Sequence, residues 1–168
     1  MAEELGLEEA LDIAMEAELK AHAFYAQATA EVEDPRGRDL LGRLAAFEQH
    51  HYQKLAELSD SLQREGRFIE YETRTVAEFA PLSGGGEAAG TVLETLEGEA
   101  SILSVAIENE EIAGERYRAL AAATSDPVGQ AMFKDLANEE RMHQRILEDE
   151  FFSLSNKGIW GWSGMYGD

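Results

Sequence analysis

Residues 47–55 read FEQHHYQKL and residues 138–147 read NEERMHQRIL. Each stretch holds a Glu-x-x-His pair, Glu48 with His51 and Glu140 with His143. Residues three apart lie on one face of a helix, so each pair aims a carboxylate and an imidazole the same way. The adjacent His50 points to nearly the opposite side. The two pairs stand 92 residues apart, and at that offset His51 falls on His143 while His50 falls on Met142. His50 is therefore read as a packing or surface residue.

The same offset aligns far more of the chain. Glu18 falls on Glu110, Tyr25 on Tyr117, Pro35 on Pro127, Gly37 on Gly129 and Leu55 on Leu147. Chance explains some Ala, Glu and Leu matches but not the rarer Tyr, Pro and His pairs. The pattern is an internal repeat of a helical hairpin. Apolar periodicity predicts helices over about 4–32, 36–64, 100–124 and 127–152. The breaks EDPRG and SDPVG put a proline near each new helix start. Residues 65–90, with Gly84-Gly85-Gly86, are too long for a tight turn and predict a crossover that leaves helices two and three parallel. The expected organisation is an all-α four-helix bundle over residues 1–152 and an aromatic, non-helical tail over 153–168. In that tail Trp160, Trp162 and Tyr166 cap the bundle or pack on a second subunit.

Each helix carries an apolar stripe at three-four spacing, and each stripe is interrupted near its middle by a carboxylate: Glu18, Glu48, Glu110 and Glu140. Four carboxylates in one core layer repel one another and are costly to bury unless paired or bound to metal. Two divalent cations resolve the conflict, with four glutamates and two histidines as ligands. A lone Glu-x-x-His in an acidic helical protein is more often a surface pair. Two copies at matched depth, with two matched glutamates on the other helices, reverse that balance. Carboxylate with imidazole suits iron or manganese, and zinc is compatible. His22, one turn beyond Glu18, is a further candidate ligand, although its counterpart at the offset is Gly114. Glu16 and Glu108 match each other yet sit far round from the stripe, on the expected solvated face.

Composition narrows the classes. The chain has 168 residues, enough for one domain with a real core. With 14 Lys and Arg against 34 Asp and Glu, its formal charge is −20, which disfavours nucleic acid and anionic membrane. It has no cysteine, which removes disulfides, thiolate metal sites and cysteine nucleophiles. The acidic N-terminus lacks a signal-peptide pattern, and no apolar run spans a membrane, so a cytoplasmic location is expected.

The segments AMEAELKAHAFY, FEQHH, AIENEEIAGERY and LANEERMH together resemble the rubrerythrin family of the ferritin-like superfamily, over about 150 residues. The resemblance implies that Glu18, Glu48, His51, Glu110, Glu140 and His143 ligate two iron ions. It identifies Tyr25 and Tyr117 with the family's tyrosines beside the ligands, a candidate catalytic role compatible with core packing. Typical members add a rubredoxin-like module with four iron-binding cysteines; this chain resembles the bundle alone, which implies an external electron donor protein. Typical members also carry a second glutamate three residues after the third-helix ligand. Here that residue is Ala113, and Glu111 and Glu115 lie at poor angles for the same face. The carboxylate used in the family's redox-linked ligand exchange is thus absent. The implied function is an oxidoreductase reducing peroxide or dioxygen. The alternatives are a ferroxidase or iron-handling protein, and a metal-binding structural protein without turnover. Family members generally oligomerise, and a homodimer is expected.

Overall fold

A computed structural model describes residues 7–66 and 98–164. It contains α1 (Leu7–Glu31), α2 (Pro35–Glu65), α3 (Gly98–Ala123) and α4 (Pro127–Lys157), with no strand among the described residues. This is the four-helix bundle that the periodicity predicts.

The second helix of each hairpin starts and stops on local chemistry. Asp34 caps α2 by accepting the Arg36 N–H at 2.9 Å, and Asp126 caps α4 by accepting the Val128 N–H at 2.8 Å. The following proline in each case has no N–H to lose and a φ already suited to a helix. Gly66 and Gly158 end these helices with φ of 68° and 70°. Their N–H groups close onto the Leu62 and Leu154 carbonyls, a left-handed cap that glycine adopts without strain.

The boundary of α4 corrects the expected tail. Residues 153–157 continue the helix rather than leaving it, because nothing between Phe152 and Lys157 breaks it before Gly158 does. Beyond that glycine the tail folds back on the bundle. Trp160 and Trp162 are buried and donate their indole N–H groups to Glu99 at 2.6 Å and Asp39 at 2.8 Å. Of the two readings of the aromatic tail, these tryptophans cap their own bundle; Tyr166 lies outside the described residues.

The core comprises two apolar clusters. One holds Tyr25, Ala28, Leu41, Leu44, Leu103 and Leu147 among others; the second holds Leu11, Ala14, Leu55, Leu58, Phe133 and Leu136 among others. Chain direction follows from these memberships. Helix α1 runs from the second cluster to the first, α2 from first to second, α3 from first to second, and α4 from second to first. Each hairpin is therefore antiparallel, and α2 and α3 run parallel, as a crossover requires. The crossover itself, apart from its first residues Glu65 and Gly66, falls at 67–97, outside the described residues. On every helix the central glutamate lies between the residues given to one cluster and those given to the other.

Candidate metal centre

The four interrupting glutamates and both paired histidines meet in that middle layer. All six are buried, with exposures from 0% for His51 and Glu140 to 3% for Glu110 and His143. They form two overlapping groups. Ligand-capable atoms of Glu18, Glu48, His51 and Glu140 lie within 4.8 Å of one another, and so do those of Glu48, Glu110, Glu140 and His143.

The shared members present one oxygen to each side. Glu48 Oε2 lies 3.7 Å from His51 Nδ1, and its Oε1 lies 3.6 Å from His143 Nδ1. Glu140 Oε1 lies 2.6 Å from His51 Nδ1, and its Oε2 lies 3.9 Å from His143 Nδ1. Glu18 stands 3.7 Å from His51 Nδ1 only, and Glu110 stands 3.8 Å from His143 Nδ1 only. The two imidazoles stack, with centroids 5.9 Å apart and planes 17° apart. Glu48 and Glu140 thus belong to both groups, and Glu18 and Glu110 to one each.

Two tyrosines cross-link the layer. Tyr25 on α1 donates to Glu110 on α3 at 2.6 Å, and Tyr117 on α3 donates to Glu18 on α1 through a short hydrogen bond. Each repeat thus sends its tyrosine to the other repeat's glutamate. Both phenols are pushed well above their usual pKa, by burial first and by the neighbouring carboxylate second, so they remain donors.

Electrostatics report a layer short of positive charge. Burial, then neighbouring carboxylates, push Glu48 and Glu140 well above the usual carboxylate range. Burial and then Glu48 raise Glu110 to about 7. Burial also works against an ionised Glu18, but a hydrogen bond with Glu48 and the charge of His51 hold its pKa down. Burial would lower His51, and Glu140 and Glu18 outweigh it and raise it well above the imidazole value. Burial lowers His143. Apart from the close pair of His51 Nδ1 and Glu140 Oε1, the hydrogen bonds within the protein leave Glu18 Oε2, Glu48 Oε1, Glu110 Oε2, Glu140 Oε2 and His143 Nδ1 unpartnered. Buried polar atoms are normally satisfied. Five orphans converging on one layer, all metal-ligating types, fit a pair of hard or borderline divalent cations.

The remaining candidates separate cleanly. His22 is buried, but its Nδ1 bonds the Ala45 carbonyl oxygen at 2.7 Å, and it belongs to neither group. His50 is also buried and belongs to neither. Glu16 is exposed and pairs with Lys20 at 3.3 Å; Glu108, Glu111 and Glu115 are exposed. Ala113 is half-buried and borders a cavity of about 310 Å³ between α1 and α3, which Glu18, Tyr25 and Glu110 also line and Lys20 and Arg116 edge. The residue that sequence reasoning missed is Glu139. Its Oε2 lies 2.5 Å from His51 Nε2, and although burial opposes it, the hydrogen bond and charge of His51 bring its pKa down to about 2. The only signal was its place directly before Glu140.

Fold and site together define a ferritin-like bundle with a candidate di-metal carboxylate centre. The rubrerythrin family profile matches residues 2–59 and 101–158, and the chain belongs to that family. A solved structure, described as a hypothetical protein from Pyrococcus furiosus, shares the fold. It is 23% identical, with 95% of this chain and 96% of that one covered at a TM-score of 0.69. No curated protein matches the chain.

Proposed function

We propose that the protein is a non-haem di-iron oxidoreductase that reduces peroxide or dioxygen with electrons from an external donor protein. The observation that carries this reading is the convergence of buried ligand atoms from Glu18, Glu48, His51, Glu110, Glu140 and His143, most of them without a hydrogen-bond partner, in two groups that share Glu48 and Glu140. Two ferrous ions held there would supply a pair of electrons to a small oxidant.

The chain's own residues supply the rest. Glu48 and Glu140, each with one oxygen towards either histidine, would bridge; Glu18 with His51 and Glu110 with His143 would complete the two positions. Tyr25 and Tyr117 hold the terminal carboxylates in place and stay protonated. The cavity between α1 and α3 gives a small oxidant a route to Glu18 and Glu110, past apolar walls such as Phe24 and Val105. With Ala113 at its edge, no third-helix carboxylate besides Glu110 lines it. Catalysis would then proceed without a change of carboxylate ligand.

Anaerobic Fe(II) loading followed by peroxide addition tests the reading, with Glu110→Ala as control. About two ions per chain and rapid absorbance change on peroxide are expected, both impaired in the variant. Fewer than about one ion per chain after loading would sink it. Slow reaction with peroxide but oxygen-driven accumulation of ferric mineral would favour iron handling instead. A homodimer goes with this reading by family likeness, and gel filtration of the purified chain checks it.

A further inference from the structure

The repeat that builds the centre is broken at a position in direct contact with one of its histidines. Glu139 on α4 stands behind His51, and at the 92-residue offset its counterpart on α2 is Phe47. Glu139 Oε2, 2.5 Å from His51 Nε2, accepts the outer N–H of that ring, which leaves Nδ1 facing Glu18, Glu48 and Glu140. On the other side Phe47 packs its ring against His143, with centroids 5.1 Å apart and planes tilted by 52°. Among the described residues, the carboxylates within ion-pair reach of His143 are Glu48, Glu110 and Glu140, and all three face its Nδ1. The outer nitrogen of one imidazole meets a carboxylate; the other imidazole packs against a hydrocarbon ring, and its carboxylate contacts among the described residues are all at the inner nitrogen.

That difference bears on metal affinity. A carboxylate on the outer N–H of a ligating imidazole fixes its tautomer and orientation and makes the inner nitrogen a stronger donor, and its loss weakens binding about 10–100-fold. A phenyl ring offers no acceptor. Glu139 touches one imidazole directly and acts on the other only through charge at longer range.

We propose that Glu139 is a positioning residue that makes the two metal positions unequal: a divalent cation binds first and more tightly beside Glu18 and His51, and second and more weakly beside Glu110 and His143. The inference rests on the two-metal reading above.

Titration of the chelator-stripped full chain with Co(II), followed by calorimetry and cobalt d–d absorption, reads both steps. The wild type is expected to fill in two steps separated by about 10–100-fold. Glu139→Gln keeps the size and an acceptor oxygen but loses the charge. It should weaken the first step by roughly tenfold or more and leave the second within about threefold. Phe47→Glu should tighten the second step and narrow the gap. Repulsion between two bound cations also separates the steps, but it predicts the same gap in all three proteins. His143→Ala should keep the tight first step, with its cobalt spectrum, and His51→Ala should lose it. Equal weakening of both steps by Glu139→Gln, or no weakening, overturns the proposal. A wild type that binds two ions with the reverse histidine dependence overturns it while leaving the two-metal reading intact; a wild type that binds none overturns both.

Discussion

Removing the charge of Glu110 should stabilise the metal-free protein and destabilise the loaded one. Glu110 is 3% exposed, and its pKa is lifted from 4.5 to about 7, by burial first and by Glu48 second. A carboxyl raised in the folded state keeps its proton longer there than in the unfolded chain. The stability this contributes is fully present below the unfolded value and is lost as pH rises, the loss being complete above about 7. At 1.36 kcal/mol per unit, the lift from 4.5 to about 7 corresponds to about 3 kcal/mol. Glu110→Gln removes the charge but keeps an oxygen to accept the Tyr25 hydroxyl, which now lies at 2.6 Å. In chelator, the variant should therefore exceed the wild type by up to about 3 kcal/mol at roughly pH 8, and the excess should fade towards about pH 5. Urea unfolding followed by circular dichroism measures it. Metal in large excess should reverse the order, since a cation at a thousand times its dissociation constant adds about 4.1 kcal/mol to whichever protein binds it. A stripped variant less stable than wild type at pH 8, or a difference that ignores pH, would refute the crowded-carboxylate account.

Other perturbations probe separate parts of the molecule. Gly37→Ala would put a methyl group 2.6 Å from Trp160 Cε2 and 2.8 Å from Val32 Cγ1, so thermal unfolding should show a loss of about 1–3 kcal/mol from overpacking. Tyr117→Phe leaves a buried oxygen of Glu18 without its donor, and denaturant unfolding of the stripped protein should show a loss of about 1–3 kcal/mol. Glu150, buried and raised chiefly by that burial, accepts the Gly161 N–H at 2.8 Å. Its stabilising effect belongs to the protonated form and is lost as pH rises, so Glu150→Gln should raise the melting temperature at neutral pH and lose that advantage in acid. Unchanged melting at both pH values would count against it.

Much of this protein is legible in one dimension because helices are local. Asp34-Pro35 and Asp126-Pro127 announce helix starts by capping chemistry that needs only neighbouring residues. Glu48-x-x-His51 and Glu140-x-x-His143 share a face by helical geometry alone, and the 92-residue repeat marks Glu18 and Glu110 as their companions at the same depth. The end of α4 is less legible, since Ser153, Ser155 and Asn156 are weak helix formers directly before a Gly- and aromatic-rich segment, and only the cap at Gly158 marks the true stop.

What the sequence determined by itself, then, is the set of helices and the layer in which six polar side chains interrupt their apolar stripes. What it could not determine is which of those side chains face one another, because that depends on how four helices cross. Tyr25 and Glu18 sit on one helix, yet each finds its hydrogen bond on α3. His22 sits one turn from Glu18, yet packing turns it to the Ala45 carbonyl. Glu139 reads as one more acidic residue of a charge-rich helix until α2 brings His51 to within 2.5 Å of it. Spacing sets direction along a helix, and tertiary packing alone sets what each direction meets.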